Sequence, residues 1–163
     1  MGVLWITGLS GAGKTTLAKA ILKQDKRKWI HLDGDELRSV LSVQHELTIE
    51  SRKSLATSYS SLAKMLSEQG FDVIVSTVSL FHSIQHWNRE NITNYFEVFI
   101  DADIQLIRQR NQKGVYNEGN YDLVVGLGIA HEIPLKPDYQ INQTFYPDDI
   151  HHHSKSIIES LLW

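Results

Sequence analysis

The chain has 163 residues, a formal charge of -3 and no cysteine. A chain of this length fits one compact domain that buries roughly two thirds of its unfolded surface, so a sizeable core is available. The charge leaves no broad basic field for a long nucleic acid, and the missing thiols exclude a disulfide framework, a thiolate zinc site and a cysteine nucleophile.

No linker, repeat or low-complexity run divides the chain, and residues 1–163 read as a single domain. Met1 leads straight into an apolar run without a charged leader, which predicts no signal peptide, no membrane span and a cytoplasmic protein. Ile6 in the sixth position defeats a myristoylation motif.

Val3 to Thr7 is apolar, rich in β-formers and stopped by Gly8, the pattern of a buried parallel strand. Leu17, Ala18, Ile21 and Leu22 recur at helical spacing within 15–23, and Trp29 to Leu32 reads as a second strand. From Thr48 onward, Leu55, Tyr59, Leu62 and Leu66 mark one face of a long helix that stops at Gly70. A strand over 72–76, a helix over 83–93, a strand over 96–100 and a helix over 104–110 capped by Asp103 continue the alternation. Periodicity fades over about 111–137, where Gly114, Gly119, Gly126 and Gly128 predict a mobile flap. A last strand over 139–142 and a last helix over 148–162 follow. Parallel strands need long crossovers that cover both faces, so this order predicts an α/β fold. The expected form is a doubly wound parallel sheet with helices on both faces and ligands at the strands' carboxyl ends.

Gly8-Leu9-Ser10-Gly11-Ala12-Gly13-Lys14-Thr15 matches G-x-x-x-x-G-K-[ST] and lies between a strand and a helix, as that motif requires. The fold is therefore read as a P-loop NTPase fold. Gly8, Gly11 and Gly13 leave room for backbone N–H groups to turn onto phosphate oxygens, and the next helix offers its positive dipole end to the same anion. Lys14 is expected to bridge the outer phosphates of ATP, Thr15 to ligate Mg2+, and Thr16 to assist at the α-phosphate.

Asp33 and Asp35 follow the second strand on the same sheet edge. Asp35 suits acceptance of the proton of an attacking hydroxyl, and Asp33 suits ordering of Mg2+. The competing reading is a plain Asp/Gly turn that caps a helix.

At this point the sequence resembles the adenylylsulfate kinase family over nearly its whole length. The resemblance rests on 8–16, on Asp-Gly-Asp-Glu-Leu-Arg at 33–38, on Arg52 and on Arg110-Asn-Gln-Lys-Gly-Val-Tyr116. It implies phosphorylation of a ribose 3′-hydroxyl, with Asp35 activating that hydroxyl and Arg38 and Arg52 gripping anionic groups of the acceptor. It also implies Arg110 beside the ATP and Lys113 at the start of the flap. Leu47 and Val124 stand where family members sandwich adenine between two phenylalanines, and Leu55 and Ser58 replace an asparagine and an arginine. Trp87-Asn-Arg-Glu-Asn-Ile92 and Val124-Val-Gly126 are similar to a shorter branch that includes kinases of cytidine diphosphoramidate, whose smaller pyrimidine suits an aliphatic clamp. The partner implied is a small nucleotide-linked substrate, with neither nucleic acid nor membrane, and a homodimer stays open.

Other features read as plain structure. His151, His152 and His153 suit a solvated turn, and His82 and His86, which lack the glutamate of a zinc helix, read as packing or acceptor-edge residues. Arg89 and Glu90 read as a solvated helix face, and Trp87 and Tyr95 as core. A GTPase lacks support without N-K-x-D or D-x-x-G; a non-catalytic ATP-holding regulatory module and a kinase of sugar or shikimate type remain the alternatives.

Overall fold

The computed structural model describes residues 1–42, 48–110, 125–128, 130–142 and 147–163, without the side chains of Arg110, Pro147 and Asp148. Along the chain run β1 (Val3–Gly8), α1 (Lys14–Gln24), β2 (Trp29–Asp33), α2 (Gly34–Val40), α3 (Ile49–Glu68) and β3 (Asp72–Thr77). They are followed by α4 (His82–Asn91), β4 (Tyr95–Asp101), α5 (Ile104–Arg110), β5 (Tyr139–Asn142) and α6 (Pro147–Ser160). The strands form one five-stranded sheet in the order β2-β3-β1-β4-β5, parallel throughout.

Successive strand residues face opposite sides, so β1 feeds two cores at once. Leu4 and Ile6 join Leu17, Ala18 and Ile21 of α1, Ile107 of α5 and Ile157 of α6 on one face. Val3 and Trp5 join Ala56, Tyr59 and Ala63 of α3 and Ile84 of α4 on the other. Burial of both faces is why β1 and β3 read as unbroken apolar runs rather than alternating ones.

Helix ends follow local chemistry. Thr48 caps α3 by accepting from the Ser51 amide at 3.2 Å, and Asp103 caps α5 by accepting from the Gln105 amide at 2.8 Å. The buried stripe of α3 differs from the expected one: Ala56, Tyr59, Ser60 and Ala63 are buried, while Leu55, Leu62 and Leu66 flank them, only partly covered. Small residues in the centre let the helix lie close to the sheet, and the leucines close the sides of that contact. The three histidines at 151–153 lie in α6 rather than in a turn, with His153 Nδ1 3.1 Å from the Tyr139 hydroxyl.

The strand order reverses at β1. The chain passes from β1 through α1 to β2 on one side, then returns through β3 and crosses by α4 to β4 on the other. A crevice opens above the carboxyl ends at such a point, and the register sets Asp33 beside Ser76, Thr7 beside Thr77, and Gly8 beside Ile100. Among the described residues no helix is long and apolar enough to cross a membrane.

Candidate active site

The loop after β1 is shaped by its glycines. Gly8, Gly11 and Gly13 take φ values of 151°, 79° and 98°, all in the range that side chains rarely adopt. At Gly8 a β-carbon would also lie 2.7 Å from the Ile100 carbonyl oxygen, so a side chain here meets both backbone strain and neighbouring backbone. Ala12 packs into the core, and its amide donates to the Leu9 carbonyl at 3.1 Å, which anchors the loop from below. Gly13 precedes α1 without a side chain to cap it, so the first-turn amides of α1 gain no partner from that residue. This geometry favours an anion above the loop. Lys14 Nζ donates to the Gly8 carbonyl at 3.0 Å and to the Leu9 carbonyl at 2.7 Å, holding the ammonium over the same concavity. Thr16 is exposed in the first turn of α1.

Asp33 joins the loop to the second strand. Its Oδ2 accepts from Thr15 Oγ1 at 2.6 Å and from Ser76 Oγ at 2.8 Å, and its Oδ1 accepts from the amides of Asp35 at 2.9 Å and Glu36 at 3.4 Å. Because Ser76 donates to Asp33, it accepts from His31 Nε2 at 2.9 Å, which gives that ring the Nε2–H form. Burial pushes the Asp33 carboxyl up, but the bonds from Thr15, Ser76 and the two amides outweigh it and hold the group down at about 2. Asp33 is thus both the cap of α2, as the turn reading expected, and a carboxylate tied to the Thr15 hydroxyl. Asp33→Ala is expected to lose the cap and strand two hydroxyls, lowering stability by about 1–2 kcal/mol and Tm by roughly 3–6 °C in thermal unfolding. Asp33→Asn, which keeps a capping oxygen, is expected to lose less; equal Tm values for alanine variant and wild type would contradict this assignment.

Asp35 occupies the first turn of α2, half exposed, with Oδ1 paired to Arg38 Nη2. Arg52, on α3, is held below the usual arginine range by burial and then by the neighbouring positive charge of Arg38. Two cations, Arg38 and Arg52, therefore lie close together, and the first of them is paired with the Asp35 carboxylate. Tyr59 lies among them; its hydroxyl reaches the Gly34 carbonyl at 3.4 Å, and burial pushes its pKa up, making the phenol less acidic, while Arg38 pulls it part of the way back.

Two cavities meet here. One is lined by Ser10, Lys14, Thr15, Asp33, Asp35 and Ser76. The other, larger, is lined by Arg52, Leu55, Tyr59, Leu80, Phe81 and Val125 among others. Arg38, Thr77 and Val78 line both. Sequence reasoning did not pick out the stretch from Ser76 to Phe81 as part of the site, although Ser76, Thr77 and Val78 line the first cavity and Thr77 to Phe81 the second. Thr7 Oγ1 donates to the Val78 carbonyl at 3.1 Å, and Thr77 Oγ1 lies 3.1 Å from Ser79 Oγ, fixing the turn. The signal available was a run of Ser and Thr where β3 reaches the carboxyl edge. The expected positions Leu47, Lys113 and Val124 lie outside the described residues, as does the Arg110 side chain, whose backbone ends α5. Among the described residues no group of three metal-ligating side chains is found, so His82, His86 and the 151–153 histidines form no metal cluster there.

The family model for adenylylsulphate kinase matches residues 1–142. This chain belongs to the adenylylsulphate kinase family. Within the family it is 38% identical over 148 residues to a cytidine diphosphoramidate kinase of Campylobacter jejuni, covering 87% of this chain and 86% of that protein. It is 35% identical over 148 residues to an adenylyl-sulfate kinase of Pseudomonas aeruginosa, covering 86% and 76%. The fold agrees with the adenylylsulphate kinase of Mycobacterium tuberculosis solved with AMPPNP and APS, at a TM-score of 0.82 and 25% identity over 97% of this chain and 95% of that one. The chain is thus a kinase of adenylylsulphate-kinase type with the P-loop NTPase fold, and its parallel sheet with helices on both faces is the architecture its sequence implied.

Proposed function

We propose that this kinase transfers the terminal phosphoryl group of ATP to the ribose 3′-hydroxyl of a nucleotide-linked small molecule. Cytidine diphosphoramidate is the favoured acceptor and adenylylsulfate the alternative. The observation that carries the reading is the continuity of a phosphate-type cavity with a more apolar one through Arg38, Thr77 and Val78, with Asp35 on the wall of the first. The pyrimidine acceptor draws support from the likeness to the C. jejuni kinase and from the aliphatic Leu55, Val78, Leu80 and Val125 around the second cavity. A module that only held ATP would have no use for two arginines beside an acidic side chain.

In this reading the amides of the glycine loop, with Ser10 and Thr16 at its edge and Arg110 beside the nucleotide, receive the phosphates of ATP. Thr15 Oγ1 and Asp33 Oδ2, two hard oxygen donors 2.6 Å apart with the carboxylate ionised at neutral pH, fit a divalent cation such as Mg2+. When bound, that ion neutralises phosphate charge. Asp35 accepts the proton of the attacking hydroxyl; the acceptor oxygen bonds to the terminal phosphorus as the bond from that phosphorus to ADP breaks. Lys14 donates to the oxygens that gain charge as that bond opens. Arg38 keeps the Asp35 carboxylate oriented, and Arg38, Arg52 and Lys113 bind the anionic groups of the acceptor. Leu47 and Val124 clamp its base.

ADP release with Mg-ATP, measured with cytidine diphosphoramidate, adenylylsulfate, gluconate and shikimate, tests this directly. The expected result is acceptor-dependent ADP, fastest with cytidine diphosphoramidate; ADP formation that no acceptor accelerates would contradict the kinase assignment. Leu47→Phe combined with Val124→Phe is expected to move the kcat/KM ratio toward adenylylsulfate by about tenfold, the worth of a recovered stacking contact. An unchanged ratio would contradict the clamp.

A further inference from the structure

The helix α4 has no side-chain cap from its own N-cap residue, Phe81. Its first amide is taken instead by a distant carboxylate: His82 N donates to Glu132 Oε2 at 2.5 Å. Two more bonds complete the junction. Glu132 N donates to the Leu80 carbonyl at 3.1 Å, and His82 Nε2 lies 2.8 Å from the Ile133 carbonyl, to which the ring donates. The strap from Ala130 to Ile133 lines the larger cavity through Ala130, on the wall that also holds Val125, and the turn it grips supplies Leu80 and Phe81 to the same cavity.

The other end of this strap is held just as firmly. Arg89 donates to the Lys136 carbonyl at 2.6 Å, pairs with Glu97 at 3.0 Å and with Asp138 at 3.1 Å, and stacks 5.4 Å over the Tyr95 ring. Asp138 Oδ2 accepts from the Glu97 amide at 2.7 Å, and the Asp138 amide returns a bond to the Glu97 carbonyl at 2.9 Å. Arg89 is therefore a structural tie and not a solvated face, although Glu90 does stay on the surface, paired with His86 at 3.1 Å. The strap is bonded near both ends of α4, and only the Glu132–His82 end borders the cavity.

We propose that Glu132 and His82 are positioning residues for the acceptor. Fastened to α4, they hold the wall made by Val125 and Ala130 against the wall made by Leu80 and Phe81, and so set the width of the acceptor chamber. Neither needs to touch the acceptor. Neither lines the phosphate cavity, so ATP binding is expected to be indifferent to them. The inference rests on the kinase reading above, since it assumes that the larger cavity takes the acceptor.

The test is steady-state kinetics of the full chain and of Glu132→Ala, His82→Ala and the conservative Glu132→Asp, with Mg-ATP and cytidine diphosphoramidate or adenylylsulfate as the second substrate. Each alanine variant is expected to raise the KM of the acceptor about tenfold while the KM of ATP stays within twofold, and Glu132→Asp to recover most of the loss. Thermal unfolding of the same proteins separates this from general damage. Acceptor and ATP KM values that rise together with a falling Tm, or an acceptor KM within twofold of wild type, would overturn the proposal while leaving the kinase reading intact. A wild-type protein that turns over neither acceptor would overturn both.

Discussion

Lys14→Ala is expected to lower kcat at least about 100-fold with little change in Tm. The side chain bonds to carbonyls of its own loop and belongs to neither hydrophobic core, so its loss removes few contacts on which folding depends. In the proposed reaction its ammonium meets the charge that accumulates on the outer phosphates, and a preorganised donor removed from such a place typically costs about 10²–10³ in rate, about 3–4 kcal/mol. The check is kcat by ADP release beside a thermal melt. A variant within threefold of wild type would remove Lys14 from the transition-state assignment; a large fall in Tm would mean that the loop, not the ammonium, had been damaged.

Asp35→Asn is expected to lower kcat about 100-fold or more while the KM of ATP changes little. Hydroxyl activation by a positioned carboxylate contributes in the range of 10²–10⁴, and asparagine keeps an oxygen for Arg38 but lacks the anionic oxygens that take up the proton. Asp33, two residues away, has the opposite profile. It is 5% exposed and ties together four donors, whereas Asp35 is half exposed and pairs with Arg38. Changes at Asp33 are therefore expected to register in stability, and changes at Asp35 in turnover. Single-turnover mixing with the acceptor in excess reads the chemical step; an Asp35→Asn rate within threefold of wild type would exclude Asp35 as the base.

The parts of this molecule that could be read in the sequence are those where one physical demand acts alone. A strand buried on both faces must be continuously apolar, and Val3 to Ile6 is. A loop that brings backbone against phosphate must be rich in glycine and must end in a helix, and residues 8–15 satisfy both. The helix α2 was less visible because it has only 7 residues, begins at a glycine and offers little apolar period; its one strong signal, Asp33 as cap, was equally consistent with a site carboxylate, and the side chain both caps the helix and accepts from the Thr15 hydroxyl.

Where demands compete, the pattern misleads. The leucines of α3 suggested its core face, yet close approach to the sheet selected Ala56, Ser60 and Ala63. Arg89 carries the composition of a surface helix, and only the fold brings Glu97, Asp138 and the Lys136 carbonyl to it from sequence positions up to 49 residues away. The larger cavity draws its lining from α2, α3, the turn after β3, Val125 and Ala130. No local window contains that combination, which is why the glycine loop was legible in one motif, whereas of the larger cavity's lining the sequence pointed to Arg38 and Arg52 but not to the turn after β3.

The proposed reaction makes one demand that merely holding or hydrolysing ATP does not: phosphate leaving ATP must arrive on the second ligand. Phosphorus NMR of a reaction containing Mg-ATP and cytidine diphosphoramidate, with adenylylsulfate in a parallel tube, follows both fates at once. The expected result is ADP and a new phosphomonoester signal on the acceptor ribose growing in equal amounts. ADP accompanied only by inorganic phosphate, at a rate the acceptor does not alter, would contradict transfer across the junction at Arg38 and Asp35.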